Sequence, residues 1–380
     1  MKIEVIRKPC ILYETIELFF KVMNGISFSE LKKQLLNKCA GLYGDEYEKY
    51  LSDIMYNLDI IQNKLTNYIN KSDPRLIYYF KKFDLEKQNI LCCLAKVMTL
   101  SFFNLSISDF DRHVSYTKDK CKLVLDDKRY STDSLTSAGL AFTYVERRDA
   151  SEDLFTQLDS VSCPNEYKWE VFKVLSNIDS SMDELAALIR PVAMKLETEI
   201  KAIMPLFEHM YDYWDDYFTN HTMTDFAVNC LHFDDHVFVD IIDNIRVNLL
   251  IMPCNQVIID PVEKYSITGI EQLFMGIIVN PNLKLTRSGV SQDDICNTLH
   301  AISDKSRYEL LCLLSRSASY GLELSEKMSL NVGTISRNLN MLYDSGLLHM
   351  HKVNNRIYYS LNRPAVEDFF TIACKSIVGS

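Results

Sequence analysis

The sequence has little glycine and proline, with 11 and 9 among 380 residues, and it has no low-complexity tract. Its 47% hydrophobic and 24% charged residues are typical of a folded globular protein and argue against disorder. No apolar run approaches the ~20 residues of a membrane-spanning helix. The start, MKIEVIRKPC, lacks the apolar segment of a secretion signal. We therefore expect two or three domains in the cytoplasm and no membrane partner.

Sequence patterns of catalysis and cofactor binding are also absent. The chain has no P-loop, no G-x-G-x-x-G turn, no nucleophile elbow and no convergent catalytic set. Its 11 cysteines are an odd number without a C-x-x-C pair, a pattern typical of reduced and mostly buried thiols. We therefore predict no catalytic residue and no cofactor.

The negative charge of the chain is unevenly distributed. The first 280 residues contain 30 Lys and Arg against 42 Asp and Glu, which gives −12 of a total of −10. From Pro281 onward, 11 basic residues stand against nine acidic ones, a balance of +2. Since the first part repels a polyanion, any nucleic-acid binding is expected in the C-terminal hundred residues.

Hydrophobic periodicity predicts a mainly α-helical protein with a small β component. Apolar residues recur every three or four positions through most of the first 230 residues. Residues near 236–280 are rich in β-branched side chains and predict two to four strands. The segment 281–291 has the Asn, Pro, Ser and Gly of a linker. We therefore predict a mostly helical N-terminal domain over 1–280, for sensing or dimerisation, and a second domain over 292–380.

The stretch SLNVGTISRNLNMLYDSGLL, residues 329–348, predicts a helix with two unlike sides. At 100° per residue, the apolar side lies within about 80° and consists of Val332, Ile335, Leu339 and Leu342. The opposite side is small, polar and rich in hydrogen-bond donors: Gly333, Ser336, Arg337, Asn340 and Asp344. Ser329 or Asn331 can cap the start of this helix, and Gly346 ends it.

The polar side has the chemistry that recognises base edges in the major groove of DNA. Arg binds guanine through two hydrogen bonds, Asn binds adenine in the same way, and Ser or Thr binds either base. Gly333 lets the backbone approach the duplex closely, and the free N–H groups of the helix start can face a phosphate. The residues of this helix predicted to contact DNA are Asn331, Gly333, Thr334, Ser336, Arg337 and Asn340.

The neighbouring segments complete a winged helix. GLELSEKMSL predicts a short helix before the polar one, and SDKSRYELLCLLSRS predicts a further helix, capped by Ser303. LLHMHK and RIYYSLN then alternate as two strands around a turn at 353–355. Such a hairpin is a wing, which lies along the DNA backbone or in the minor groove. Its predicted DNA contacts are Lys352, Asn354, Asn355 and Arg356.

The C-terminal part of the chain resembles the winged-helix domain of the ArsR family of bacterial transcriptional regulators. The resemblance is carried by LHAISDKSRYELLCLL, LELSEKMSLNVGTISRNLNMLYDSGLL and NNRIYYSLN. In the family, the first piece opens on Asp-x-x-Arg, matched by Asp304 and Arg307. The second contains a Ser-Arg pair, matched by Ser336 and Arg337, and the third ends the wing in Tyr-x-Leu. The chain departs from the family at Asn338, where His is frequent.

The resemblance implies a homodimer that binds a double-stranded DNA operator with two-fold symmetry, one recognition helix in each half-site. By the habit of the family, repression is expected rather than activation. The 280 residues in front of the domain are a second departure from small family members. They would set the spacing or angle of the two recognition helices under the control of an unknown small-molecule effector or partner.

Metal sensing, which the family name suggests, is not favoured by the residues present. Metal sites need several soft ligands that converge. SYGLELSEKM has no cysteine pair, and PAVEDFFTIACKSIV has no histidine. His232 and His236 are four residues apart, but their segment lies where the helical pattern gives way to strands. We predict surface polar residues there and no metal site.

Two other functions remain open. The winged helix could bind a protein instead of DNA, which would make the chain an interaction module. Less favoured is an enzyme in the N-terminal domain. A ligand pocket among the N-terminal helices would be lined by the same apolar residue types that form a core, so the sequence does not separate these cases.

Overall fold

A computed structural model of the chain shows two compact units. The first comprises residues 1–222 and 240–282, and the second comprises 223–239 and 283–380. The residues that the structure describes are 2–38, 45–83, 91–104, 107–127, 129–137, 139–144, 153–161, 163–222, 225–226, 244–259, 270–279, 292–353 and 356–378. The predicted linker at 281–291 lies outside them, so the predicted domain boundary stays a prediction.

The first unit is built mainly from helices. Those of its described residues are α1 (Ile11–Met23), α2 (Phe28–Lys38), α3 (Asp45–Thr66), α4 (Pro74–Phe80), α5 (Leu94–Leu100), α6 (Phe110–Asp126), α7 (Leu154–Ser160), α8 (Asn165–Ser176), α9 (Ile178–Ile203) and α10 (Glu208–Asn220). A 3-10 turn at Met204–Phe207 separates α9 from α10. Within the described part of the chain, no helix combines the length and apolar character needed to span a membrane.

Two small sheets accompany these helices. Their strands are β1 (Lys2–Ile6), β2 (Tyr130–Thr136), β3 (Gly139–Tyr144), β4 (Asn244–Leu250), β5 (Val257–Ile259) and β6 (Ile270–Gly276). One sheet has the order β1-β4-β6-β5, with β1 and β6 parallel to β4 and β5 antiparallel to β6. Strands β2 and β3 form an antiparallel hairpin.

The prediction of a mainly helical fold with a small β component is confirmed. However, β1 and the β2–β3 hairpin lie in the part for which helices are predicted, and the prediction is wrong there. Strand β1 pairs Lys2 with Asn244, far away in the chain. Such a pairing leaves little trace in the local periodicity on which the prediction rests.

Helix α1 is enclosed by the first unit. Every residue from Ile11 to Val22 is buried, including Glu14, Glu17 and Lys21. A helix that is buried on all sides is normally apolar all round. A buried charge costs several kcal/mol unless it is paired and hydrogen-bonded. The charged side chains of α1 therefore need partners inside the unit.

Glu17 pairs with two lysines. Its Oε2 lies 2.7 Å from Nζ of Lys96, a fully buried side chain of α5, and its Oε1 lies 3.6 Å from Nζ of Lys21. Nζ of Lys96 is also 4.0 Å from the ring centroid of Phe20. Burial acts to raise the pKa of Glu17, but the two ammonium groups outweigh it and hold that pKa below its usual value. Glu17 is therefore ionised and forms a buried ion pair.

Glu14 connects α1 to the turn after β4. Its two carboxyl oxygens accept hydrogen bonds from the backbone N–H groups of Ile251, at 2.9 Å, and Met252, at 2.6 Å. Gln256, at the end of the same turn, donates to Glu17 at 3.2 Å. Burial raises the pKa of Glu14 to about 7, although the two N–H donors act in the opposite direction. Polar side chains of α1 thus fix the turn that joins β4 to β5.

The buried ion pair gives a test of this packing. Lys96→Met leaves Glu17 without its closest cation, so we expect the free energy of unfolding of the first unit to fall by about 3–5 kcal/mol. The control is Lys64→Met, because Lys64 is exposed and pairs with Glu199 on the surface; its cost should stay below about 1 kcal/mol. Urea unfolding followed by circular dichroism measures both. Equal costs for the two variants would contradict a buried pair.

Candidate nucleic-acid interface

The described part of the second unit has the element order of a winged helix. Its elements are α11 (Gln292–Ser303), α12 (Lys305–Leu314), β7 (Ser319–Tyr320), α13 (Gly321–Met328), α14 (Val332–Asp344), β8 (Leu348–Val353), β9 (Arg356–Leu361) and α15 (Arg363–Val378). The three strands form an antiparallel sheet in the order β7-β9-β8. Helices α13 and α14 are the predicted helix-turn-helix, and β8 with β9 is the predicted wing. The predicted winged-helix fold is confirmed.

One apolar core holds α14 in place. Ile335, Leu339 and Leu342 are almost completely buried. The other buried members of their cluster come from α12, α13, the segment after α14 and the wing: Leu310, Leu311, Leu314, Leu324, Leu347, Leu348 and Tyr359. The predicted apolar side is therefore correct for these three residues of α14.

Val332 departs from that prediction. It is 49% exposed although its position in the helical pattern places it on the apolar side. The residue that packs against the core at this end is Leu330, in the turn before α14. Because the turn supplies the contact, the first residue of the helix is left at the surface.

Both ends of α14 are defined by specific residues. Asn331 Oδ1 accepts a hydrogen bond from the N–H group of Thr334 at 2.8 Å and so caps the start. Of the two predicted caps, Asn331 is the one used. Ser329 instead ends α13 with φ +54°, in the left-handed region. Gly346, with φ +72°, follows α14 and lets the chain leave the helix, as predicted.

The predicted contact residues come together at the start and the polar side of α14. Ser336, Arg337 and Asn340 are exposed, as is Gly333; Thr334 is half-buried. Nε of Arg337 donates to the carbonyl oxygen of Gly333 at 3.4 Å, a long hydrogen bond that leaves the guanidinium at the surface. Within 4 Å, a Cβ on Gly333 would meet only the cap oxygen of Asn331, at 3.5 Å. The backbone is therefore open to close approach at this position.

The Asp-x-x-Arg segment of α12 is structural. Asp304 accepts a hydrogen bond from the N–H group of Arg307 at 3.1 Å and caps α12. The predicted cap, Ser303, is instead the last residue of α11, so that prediction is wrong. The guanidinium of Arg307 donates to the carbonyl oxygens of Ala301, at 2.5 Å, and His300, at 2.9 Å. This residue therefore ties the end of α11 to the start of α12.

The wing is the antiparallel hairpin of β8 and β9. Lys352 and Arg356 lie in the two residue pairs nearest its turn. The predicted contacts Asn354 and Asn355 lie between these strands, outside the part that the structure describes. The backbone thus brings both predicted basic residues of the wing to the same end of the hairpin.

An acidic residue next to α14 is paired. Glu323 on α13 lies 2.7 Å from Nζ of Lys327, one turn further along the helix. The hydrogen bond from Lys327 lowers the pKa of Glu323. The pair offsets a carboxylate that would otherwise repel phosphate close to the helix-turn-helix.

The other candidate site from the sequence is not described. His232 and His236 lie outside the described residues. Among the residues that are described, no group of three or more His, Cys, Asp or Glu side chains is placed to hold a metal ion.

Comparisons with known proteins agree with this architecture. The family model "Bacterial regulatory protein, arsR family" matches residues 304–349. The transcriptional repressor SdpR of Bacillus subtilis is 32% identical over 72 residues, which are 19% of this chain and 80% of SdpR. An ArsR-like transcriptional regulator from Rhodococcus is 24% identical over 22% of this chain and 79% of its own, with a TM-score of 0.21. HlyU from Vibrio cholerae is 23% identical over 22% of this chain and 90% of its own, with a TM-score of 0.20.

A helix-turn-helix followed by a two-stranded wing places the second unit in the winged-helix class. The match to SdpR covers most of that repressor, and the family model spans α12 to the start of β8. The chain belongs to the arsR family of bacterial regulatory proteins. The resemblance inferred from the sequence is confirmed.

The cap of α14 can be tested without DNA. Asn331→Ala removes the acceptor for the N–H group of Thr334 and should lower the local stability of the helix by about 1 kcal/mol. We expect amide hydrogens of α14 to exchange about fivefold faster as a result. Asn331→Asp keeps an acceptor at the same place and should keep the slow exchange. An unchanged rate in Asn331→Ala would show that the cap does not hold the helix.

Proposed function

We propose that the protein is a DNA-binding transcriptional regulator whose helix α14 enters the major groove. The observation that carries the proposal is the exposed polar side of α14, opposite three residues that the core holds almost completely buried. A recognition helix presents its N-terminal residues to base edges while the preceding helix crosses the backbone. Membership of the arsR family, with the repressor SdpR as a relative, supports the same function and favours repression.

Each exposed residue of α14 has a role that follows from its chemistry. Arg337 binds a guanine through two hydrogen bonds, or a phosphate, and Asn340 binds an adenine. Ser336 and Thr334 supply hydroxyl groups that suit either a base or a phosphate. The first N–H groups of α14, next to the cap Asn331, face a phosphate, and the bare backbone at Gly333 allows the close approach that this needs.

The wing adds contacts outside the major groove. Lys352 and Arg356, near the end of the hairpin, bind the DNA backbone or enter the minor groove, together with Asn354 and Asn355. Contacts of this kind fix the position of the protein and make its affinity depend on salt, but they carry little sequence information.

We infer that two chains associate through helices α11 and α15. These helices share a small core of Ile295, Phe369 and Ala373. Large apolar side chains on the same helices remain exposed: Leu299, Phe370, Ile377 and Val378. Exposed apolar surface of this kind marks a protein interface. A homodimer would present two copies of α14, as an operator with two-fold symmetry requires.

The first unit regulates this binding in our proposal. An effector or partner that binds one arrangement of the dimer better than another shifts operator occupancy by its difference in affinity. The alternative is a winged helix that binds protein, for which no described residue gives specific support. The two differ in whether Arg337 and salt control affinity for DNA.

Replacement of Arg337 tests the proposed function directly. Fragments of genomic DNA are selected by the full chain, and their affinities are measured by gel shift at several salt concentrations. Arg337→Ala should weaken binding by about 1–3 kcal/mol, because a guanine or phosphate contact is lost. Its circular dichroism spectrum should not change, since the side chain is exposed.

The matched control is Arg112→Ala, which removes an exposed arginine from α6 of the first unit. This variant should bind as the wild type does. If the wild type shows no salt-dependent affinity for DNA, the protein-binding alternative is favoured. If Arg337→Ala binds as tightly as Arg112→Ala, Arg337 makes no contact with the duplex.

The dimer is tested by light scattering at micromolar concentration. The wild type should have about twice the 44.0 kDa mass of one chain. Phe370→Glu places a charge on the proposed interface and should give monomers. Trp169→Glu changes a similarly exposed aromatic residue of α8, which is 51% exposed, and should leave the dimer intact. A monomeric wild type would contradict the proposed interface.

A further inference from the structure

Val332 is an exposed apolar residue at the start of the recognition helix. It is the first residue of α14, and 49% of its surface is accessible. Two other exposed apolar residues of α14, Met341 and Tyr343, lie in its C-terminal half. Since the N-terminal residues of a recognition helix are those that reach the bases, Val332 is the apolar side chain of α14 best placed for base contact.

The surroundings of Val332 are small or already occupied. The next residue, Gly333, has no side chain. The side-chain oxygen of the preceding residue, Asn331, is engaged with the N–H group of Thr334. Ser336, four residues along and therefore on the same side of the helix, is short. The two methyl groups of Val332 are thus unshielded by larger neighbours at the end of α14 that would enter the groove first.

The major groove offers one apolar group to such a side chain. Each base pair presents donors and acceptors there, and only thymine adds a methyl group, at C5. A β-branched residue in a helix has a single strongly preferred rotamer, so Val332 loses little entropy when it makes a contact. We propose that Val332 packs against the C5-methyl group of a thymine in each half-site and so helps to set the sequence preference of the protein. This inference rests on the proposed function.

Removal of the thymine methyl group tests the contact atom by atom. The half-site is located by footprinting on genomic fragments selected by the full chain. Each of its thymines is then replaced by deoxyuridine, in both half-sites at once; this base lacks the methyl group but keeps the same hydrogen-bonding groups. At one position the wild type should lose about fourfold in affinity for each half-site, the equivalent of the ~0.8 kcal/mol of one buried methyl group.

Variants at Val332 and at a control position assign that loss to its residue. Val332→Ala should show no further loss when deoxyuridine replaces the critical thymine, because the contact is already absent. Leu322→Ala changes an apolar residue of α13 that is 52% exposed, and it should keep the full fourfold loss. Each loss is a ratio of two affinities of one protein, so a small change in folded fraction cancels.

The outcomes separate this inference from the proposed function. If the wild type binds DNA but Val332→Ala keeps the loss at every thymine, the thymine contact is wrong and the regulator stands. Half-sites without thymine have the same meaning. If the wild type binds no DNA, both proposals fail.

Discussion

The burial of Ile335, Leu339 and Leu342 is the interaction on which the function of the chain depends. A helix of 13 residues that contains glycine and asparagine is marginal by itself in water. Packing of these three side chains against α12 and α13 supplies the stability that the sequence of α14 lacks. The same packing fixes the rotation of the helix about its axis. Arg337 and its neighbours therefore stay at the surface without needing any intrinsic helix preference.

The first unit faces a different physical problem. Its helix α1 is enclosed on all sides and yet carries charged residues. Glu17 is accommodated by Lys96 and Lys21, and Glu14 by two backbone N–H groups. A buried ion pair adds little net stability compared with apolar residues of the same size. Its geometric demands do, however, tie α1 to α5 and to the turn after β4, so these elements have one preferred arrangement.

How much of the structure could be predicted depended on the range of the interactions involved. The sides of α14, its end at Gly346 and the wing follow from local periodicity and turn chemistry, which the sequence displays directly. Strand β1 does not, because its partner β4 lies at the other end of the unit. Val332 was misplaced because a helical pattern cannot show that Leu330, in the preceding turn, takes its place in the core. The cap of α12 was misplaced by one residue for a similar reason, since Ser303 and Asp304 are both good caps.

The central claim is that the polar side of α14 is accessible in the full chain and is covered by DNA. The most direct measurement is the rate at which Ser336→Cys reacts with a maleimide, followed by mass spectrometry of peptides. The exposed Cys296, Cys312 and Cys374 serve as internal references. We predict rapid labelling of the free protein at position 336 and strong protection by a selected duplex. Slow labelling of the free protein, or no protection by DNA, would contradict the account.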